Sequence, residues 1–353
     1  MQKKRILFLG ETFRADAITW MNGLKEFGDF EIVTWELQNH SEGISRIKRL
    51  FELFKIFFNF KKIAKSFNAD MVIAERVTSY GFLAAISGIK AIAIAQQGSS
   101  DLWPENSPLY FFKKKLQNYA FKKANIIHAW GNIMAVHMQK HKADMSKVMI
   151  MPKGINVDLF AFQNNSSKTK INAIVTRSLK SEYKQDAILK AFSILKKKNI
   201  SFELIIVGDG LLLEKLKKLA IQLNIEKEVV FAGRINNIDL PKLLQESNFY
   251  ISMPTTEGVS ASLFEAMACG CFPVVSNIEG NQNWIKHNVN GILAESENAE
   301  KLAYEIEKAF LNPDLIKKAI IENRKFVVEN ANYAINMKKI ANAYHELINR
   351  TTI

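Results

Sequence analysis

Short apolar runs of the β type alternate with helical patterns almost to the end of the chain, and this alternation constrains the fold more than any other feature. One series of runs begins at KRILFLG, residues 4–10, and a second begins at INAIVTRS, residues 171–178. Strands that alternate with helices predict parallel sheets covered by helices on both faces. Because 353 residues are too many for one ordinary core, we predict an α/β protein with two doubly wound, Rossmann-like domains.

A polar stretch, FQNNSSKTK at residues 162–170, separates the two series and is typical of a linker. We therefore expect one domain over residues 1–162 and a second over residues 163–335, facing each other across a cleft. From about Ala299 the pattern is helical. Residues 336–353 are predicted to form a C-terminal helix that packs back on the first domain.

Ligands of doubly wound sheets bind beyond the carboxyl ends of the strands, in the loops that lead into helices. The sequence TTEGVSASLFEAMACG, residues 255–270, follows such a strand. Its helix should begin near Ser260–Ser262 and end at Gly270. Free N–H groups at a helix start favour an anion such as phosphate. Glu257 and Glu265 flank this start, where carboxylates could accept hydrogen bonds from sugar or ribose hydroxyls. A capped helix whose dipole Glu265 stabilises explains the spacing equally well.

Basic residues follow the first strand of the second series, in TRSLKSEYKQD. Arg177 stands where that strand ends, and Lys180 and Lys184 come after it. An arginine with a lysine at this position could neutralise a leaving diphosphate. The alternative is that these side chains are simply solvated.

Taken together, these segments resemble the retaining glycosyltransferases of the GT-B fold known as family 4, or glycosyl transferases group 1. The resemblance is carried by Glu257 and Glu265 in EGVSASLFEAMACGCFPVV, and by KVMIMPKGINVDLF, TRSLKSEYKQDAILKAF, IIVGDG and VVFAGR. It covers nearly the whole chain and is strongest in residues 148–295. It implies transfer of a sugar from a nucleotide-diphosphate donor to a hydroxyl group, with retention at the anomeric carbon.

The resemblance also implies roles for individual residues. Glu257 would contact the donor sugar near the reacting centre, Glu265 would bind the ribose hydroxyls, and Arg177 would stabilise the leaving diphosphate. Further donor-binding residues are predicted at Val259, Ser260, Ala261, Ser262, Gly10, Gly208, Gly233, Arg234 and Ile235. Such enzymes usually need no metal and no cofactor beyond the donor, and the sequence contains no DxD triplet for a divalent ion.

The chain departs from the family pattern at two places. The second basic residue of the family would fall near Tyr183, so we assign its role to Lys184, with Lys180 as the alternative. Many relatives carry a histidine before the glycine of the acceptor loop, where this chain has Gln97-Gly98. Whether Gln97 or Asp101 replaces that histidine is left open.

Residues 44–67 are rich in both basic and aromatic side chains. They contain seven Lys and Arg, six Phe and a single acid, Glu52. A basic amphipathic helix of this kind suits an anionic membrane surface, which would fit a glycan or lipid-linked acceptor in surface polysaccharide or lipopolysaccharide synthesis. The alternative is a crossover helix that packs on the sheet. Without a signal peptide or spanning segment in the sequence, we expect a cytoplasmic protein peripheral to the inner face of the cell membrane.

Other functions fit the same fold. One is a nucleotide-sugar epimerase or phosphorylase, and another is a catalytically silent subunit of a glycan-assembly complex. A nucleic-acid partner, suggested by the sequence pI of about 9.5, is not expected because no nucleic-acid-reading motif is recognisable.

Overall fold

The computed structural model describes residues 3–39, 45–96, 98, 102, 106–164 and 169–352, with the backbone alone for residues 45–47, 50 and 352. The chain divides into two compact units. Unit 1 consists of Met1–Lys153 and Tyr333–Ile353, and unit 2 consists of Gly154–Asn332. Each unit contains a parallel sheet with flanking helices. The prediction of two doubly wound α/β domains is therefore confirmed.

The sheet of unit 1 has six strands among the described residues, in the order β2-β1-β3-β4-β5-β6. Its strands are β1 (Arg5–Leu9), β2 (Glu31–Trp35), β3 (Met71–Ala74), β4 (Ala91–Ala95), β5 (Ile126–Ala129) and β6 (Val148–Ile150). Its helices are α1 (Ala15–Gly28), α2 (Ser45–Phe57), α3 (Phe60–Ser66), α4 (Tyr80–Ile86), α5 (Tyr110–Lys123), α6 (Asn132–Lys140) and α14 (Tyr333–Thr352). All residues of β3 and β4 are buried, as expected for central strands covered on both faces.

The C-terminal helix α14 packs against α1 within unit 1. Tyr333 Oη donates a hydrogen bond to Thr19 O at 2.8 Å, and His345 Nε2 lies 2.8 Å from Gly28 O. Tyr344 is fully buried. The side chains of α14 thus complete the core of the unit that begins at the N-terminus.

The sheet of unit 2 has six strands among the described residues, in the order β12-β11-β10-β7-β8-β9. Its strands are β7 (Ile171–Thr176), β8 (Phe202–Val207), β9 (Val229–Gly233), β10 (Phe249–Ser252), β11 (Phe272–Ser276) and β12 (Ile292–Ala294). Its helices are α7 (Gln185–Lys197), α8 (Leu213–Gln222), α9 (Leu240–Glu246), α10 (Ala261–Cys269), α11 (Glu279–Gln282), α12 (Ala299–Phe310) and α13 (Pro313–Asn330).

The division between the units differs from the predicted boundaries after residues 162 and 335. Unit 2 begins at Gly154 because Ile155, Val157 and Phe160 are buried in one of its hydrophobic clusters. Unit 1 resumes at Tyr333 because the hydroxyl group of that residue is bonded to α1. The polar composition of residues 162–170 suggested the boundary in the sequence, but the packing of buried side chains determines where each unit begins.

Each sheet reverses its strand order at one place, between β1 and β3 in unit 1 and between β7 and β10 in unit 2. Loops that leave such neighbouring strands turn to opposite faces and open a crevice at the carboxyl edge, where ligands of these folds bind. In unit 1 these loops follow Leu9 and Ala74. In unit 2 they follow Thr176 and Ser252.

The described part of the basic segment, residues 45–67, contains two helices, α2 and α3, rather than the single helix predicted. The chain turns inward between them because Phe60 is buried, with its ring centroid 5.1 Å from that of Trp35. Helix α3 thus packs as a crossover helix on the sheet, whereas Phe51 and Phe54 of α2 remain exposed. None of the described helices is both long and apolar enough to span a bilayer.

Candidate functional site

The helix predicted from TTEGVSASLFEAMACG is α10, and it follows the switch-point strand β10 of unit 2. Its N-cap is Ser260, whose Oγ accepts a hydrogen bond from Leu263 N at 3.2 Å. It ends at Gly270, which has a left-handed φ of 91°. The predicted start and end are confirmed. Because the N–H groups of Ala261 and Ser262 have no partner inside the helix, this helix start attracts an anionic group.

Arg177 and Glu257 form an ion pair beside the start of α10. Arg177 follows β7, and its Nη2 lies 2.6 Å from Glu257 Oε1 and 2.7 Å from Oε2. The guanidinium also donates to Ser252 Oγ at 3.3 Å and to Ser260 Oγ. The two charged side chains are only 13% and 11% exposed. One guanidinium therefore links the two switch-point loops to the N-cap of α10.

Burial affects both charges of this pair. It would lower the pKa of Arg177, but the neighbouring Tyr250 and Glu257 outweigh it and raise the pKa of Arg177 above the usual range. Burial raises the pKa of Glu257, and the charge of Arg177 opposes that rise. Arg177 is thus permanently charged. Glu257 holds the guanidinium in place, and the charge of Arg177 in turn favours the ionised form of Glu257.

Glu265 is the second predicted carboxyl group and lies on α10 itself. Burial raises the pKa of Glu265 to about 7, although the charge of Arg177 lowers it. A carboxyl group with this pKa can accept hydrogen bonds when ionised and donate one when protonated. Near neutral pH it is suited to hydroxyl groups, whose hydrogen bonds run in either direction.

A cavity of about 360 Å³ opens at the same edge of the unit 2 sheet. It brings together five predicted site residues, namely Arg177, Gly208, Arg234, Ile235 and Ser262. Because two guanidinium-bearing residues and the start of α10 line one cavity, the site suits a ligand that carries phosphate.

Two glycines fix the backbone on either side of the ion pair. At Gly208, with φ of +141°, an added Cβ would lie 2.1 Å from Arg177 O. At Gly280, in α11, it would lie 2.2 Å from Glu257 O. A side chain at either position would therefore displace the backbone of one partner. Gly280 was not predicted, because its role arises only from a tertiary contact. Val259, beside Glu257, packs against the hydrophobic core.

The contacts of Arg177 do not show which lysine, Lys184 or Lys180, is the second basic residue of the site. The guanidinium carbon of Arg177 lies 5.5 Å from the ring centroid of Tyr183, which the sequence left without a role. Lys184 Nζ instead lies 2.6 Å from Glu297 Oε1, a hydrogen bond that raises the pKa of Lys184. Lys180, the alternative, is exposed. The role assigned to Lys184 stays a prediction.

At the switch point of unit 1, Gly10 follows β1 and packs tightly against the loop after β3. A Cβ added at Gly10 would lie 2.6 Å from Glu75 Oε2, an atom that also accepts a hydrogen bond from Glu11 N at 2.8 Å. Burial, with a smaller effect of Asp16, raises the pKa of Glu75 to about 7. Gln97 and Asp101, the two candidates for the acceptor loop, lie outside the described residues.

Among the described residues, no group of three or more His, Cys, Asp and Glu side chains has an arrangement that could hold a metal ion. The expectation of metal-independent transfer stays a prediction.

Comparisons with known proteins agree with the resemblance seen in the sequence. The family described as glycosyl transferases group 1 matches residues 156–326, the segment that contains the ion pair and Glu265. An uncharacterized glycosyltransferase of Methanocaldococcus jannaschii is 29% identical over 257 residues, which cover 69% of this chain and 64% of that protein. The match thus spans less than two thirds of that relative.

Matches to a relative and to a solved structure extend over almost the whole chain. The UDP-Gal:alpha-D-GlcNAc-diphosphoundecaprenol alpha-1,3-galactosyltransferase of Escherichia coli is 22% identical over 361 residues, 97% of this chain and 91% of that protein. The crystal structure of Anabaena HepE in complex with UDP-glucose has a TM-score of 0.74 at 16% identity, covering 97% of this chain and 99% of that one. At 16% identity this structural likeness shows the fold alone, and the fold is GT-B.

Proposed function

Because the chain belongs to the glycosyl transferases group 1 through residues 156–326, we propose that it transfers a hexosyl group from a nucleotide-diphosphate sugar to a hydroxyl group of a lipid-linked glycan. Transfer would proceed with retention of the anomeric configuration and without a metal ion. The observation that supports this proposal most is the paired Arg177 and Glu257 at the start of α10. The nucleobase and the sugar stay open; HepE was solved with UDP-glucose.

In the proposed reaction, the bond between the anomeric carbon and the diphosphate oxygen breaks towards an oxocarbenium-like state. Negative charge then grows on the diphosphate, where Arg177 and the N–H groups of Ala261 and Ser262 would stabilise it. Glu257 would contact the sugar, and Glu265 would hold the ribose hydroxyls. The departing phosphate would help to deprotonate the acceptor hydroxyl group.

A lipid-linked acceptor is supported by the relative from Escherichia coli, whose name specifies a diphosphoundecaprenol acceptor. We propose that the protein meets this acceptor at an anionic membrane surface, during synthesis of surface polysaccharide or lipopolysaccharide. The exposed lysines of α2 and α3, Lys48, Lys55, Lys61, Lys62 and Lys65, would supply the attraction.

The test of this function is the release of nucleoside diphosphate from a panel of UDP, GDP and ADP sugars, with and without a polyprenyl diphosphate-linked glycan. We expect release to depend on the acceptor and to persist in EDTA, and the anomeric proton of the product should show retained configuration. An epimerase would convert the donor without releasing diphosphate, and a silent subunit would do neither.

Donor binding should strengthen with rising pH through the ionisation of Glu265. Its pKa of about 7 lies above the ordinary value, so the group is mainly protonated at pH 6 and mainly ionised at pH 8. If the carboxylate is the form that accepts the ribose hydroxyls, the donor Kd should fall by up to about tenfold over this interval. Calorimetry with a UDP sugar measures it. The Glu265→Gln variant should show a flat profile, and an unchanged slope in that variant would rule out the assignment.

Charge reversal on α2 and α3 should abolish membrane binding. Each lysine near an anionic surface contributes about 1 kcal/mol, so Lys48→Glu, Lys55→Glu and Lys62→Glu together should lower partitioning at least about a hundredfold. Sedimentation with phosphatidylglycerol vesicles measures this, and the Kd of the donor should be unaffected. The matched control reverses three exposed lysines of unit 2, Lys197, Lys215 and Lys218. Equal loss in both triple variants would mean that net charge alone drives binding.

A further inference from the structure

An apolar groove lies in unit 1 between α2 and α5. It has a volume of about 780 Å³, within the range of ligand pockets. Its nine lining side chains are all apolar, and Phe57 of α2 stacks on Phe82 of α4 with ring centroids 5.7 Å apart. We call this feature the aromatic groove; its members include Phe54, Phe57, Phe58, Phe82 and Phe112.

The rings of the aromatic groove are unusually exposed. Phe54 and Phe58 are 71% and 73% exposed, and Phe112 is 51% exposed. Connected apolar surface of this kind marks a binding site on a soluble protein. Phe111, the neighbour of Phe112 on α5, is 77% exposed but does not line the groove. The apolar surface therefore has a concave part, which suits an extended hydrocarbon chain.

The helices around the aromatic groove are strongly basic. Together α2, α3 and α5 carry twelve Lys and Arg residues and one acid, Glu52. The carboxylate of Glu52 accepts hydrogen bonds from Gln38 N at 2.6 Å and Asn39 N at 3.0 Å. Twelve cations against this one carboxylate make the field around the groove positive. The charge complements a hydrocarbon chain that carries an anionic head group.

A cluster of arginines lies at the switch point of unit 1. Arg14, Arg49 and Arg76 surround the buried Glu11, with Arg49 Nη1 2.9 Å from Glu11 Oε1 and Arg76 Nη2 3.2 Å from Oε2. Three cations face this one carboxylate. Arg49 is 6% exposed, yet its Nη2 and the Nε of Arg76 are buried without a hydrogen-bond partner among the described residues. Buried donors of this kind lack an acceptor, and an anion that entered the cluster would supply one.

The arginine cluster and the aromatic groove share helix α2. Arg49 and Phe57 are eight residues apart on it, which corresponds to about 12 Å at 1.5 Å per residue. The guanidinium of Arg49 also lies 4.9 Å from the ring centroid of Tyr80, at the start of the helix that contributes Phe82. A single extended molecule can therefore reach both features.

We propose that the two features together bind the lipid carrier of the acceptor. The hydrocarbon chain lies in the aromatic groove, and the phosphate groups that join it to the glycan receive hydrogen bonds from Arg49 and Arg76. This inference rests on the proposed function, in which the acceptor is lipid-linked, and it deepens that function by requiring both a long chain and a phosphate linkage.

The test uses farnesyl diphosphate as the probe, without detergent or lipid, and measures its binding by calorimetry. Inorganic diphosphate supplies the head group alone, and farnesol supplies the chain alone. We expect farnesyl diphosphate to bind at least tenfold more tightly than either. The measurement is repeated with the Arg177→Ala variant, so that diphosphate bound at the start of α10 in unit 2 is not counted.

Variants separate the two parts of the site. Phe54→Ala with Phe112→Ala should weaken farnesyl diphosphate binding at least tenfold and leave inorganic diphosphate unchanged. Arg76→Gln should weaken both diphosphates and leave farnesol unchanged. Phe111→Ala is the matched control, because it removes a more exposed ring from the same helix outside the groove, and it should change binding less than twofold.

Three results would overturn the inference. Equal losses in Phe111→Ala and in Phe54→Ala with Phe112→Ala would indicate contact with a bilayer surface rather than with a single chain. A dimer in sedimentation equilibrium that dissociates on Phe54→Ala would place a second copy of the chain on the groove. Farnesyl diphosphate binding no better than inorganic diphosphate would exclude a chain site. Since the probe contains no sugar or nucleotide, none of these results affects the acceptor-dependent release that tests the proposed function.

Discussion

Replacing Arg177 with alanine should lower the rate of sugar transfer at least a hundredfold. Its guanidinium lies between the two switch-point loops of unit 2 and is held by Glu257 and Ser260. In the proposed reaction it meets the charge that develops on the leaving diphosphate. Loss of one preorganised donor of this kind costs roughly 10²–10³-fold in kcat. Release of nucleoside diphosphate in the presence of acceptor measures the effect.

The free energy of unfolding must be measured as a control for Arg177→Ala, because alanine leaves the buried Glu257 without its cation. Breaking a buried pair costs about 3–5 kcal/mol. The pKa of Glu257, already raised by burial, should rise further, so the variant should lose stability as pH increases above the ordinary glutamate pKa. The double variant Arg177→Met with Glu257→Gln has no unpaired charge, and it should regain most of the lost stability while staying inactive. An active double variant would contradict the role of Arg177.

Glu257→Ala should also lower turnover at least a hundredfold. The carboxylate positions the Arg177 guanidinium through contacts of 2.6 and 2.7 Å, and it is predicted to contact the donor sugar. Glu257→Gln keeps a hydrogen-bond acceptor for Arg177 but removes the charge. Comparing the two variants therefore separates orientation of the arginine from electrostatic stabilisation of the sugar.

Single-turnover kinetics and donor Kd should be measured together for both Glu257 variants. We expect kcat to fall far more than donor affinity, because the interaction is needed mainly in the transition state. Glu295→Gln is the matched control, since that exposed carboxylate also forms an ion pair in unit 2, with Lys301. It should change turnover less than twofold. Near-normal turnover in Glu257→Ala would refute the assignment.

The elements around the unit 2 site could be predicted because local chemistry determines them. Ser260 is an N-cap and Gly270 a left-handed C-cap, so residue type alone marked both ends of α10. The strands before Arg177 and before Glu257 are apolar runs of ordinary length. The short strands β6 and β12 were not predicted, since three residues carry too little pattern.

The rest depends on tertiary contacts that no local pattern records. Lys184 pairs with Glu297, more than a hundred residues away in sequence, so the charge of the lysine alone could not show which group it meets. The role of Gly280 arises from its approach to the backbone of Glu257. The arginine cluster brings together Arg14, Arg49 and Arg76 from three separate segments around Glu11. The sequence analysis assigned Arg14 and Arg76 no role and counted Arg49 only as part of the basic segment of residues 44–67.

The position of α14 has a consequence for how the chain is made. Unit 2 is continuous from Gly154 to Asn332, whereas unit 1 is completed only by Tyr333–Ile353. During synthesis, all residues of unit 2 are made before unit 1 is complete. Unit 1 still lacks α14, the helix that covers α1 and its buried Trp20. The N-terminal half therefore leaves the ribosome with an unfinished core, a period in which a chaperone would have apolar surface to hold.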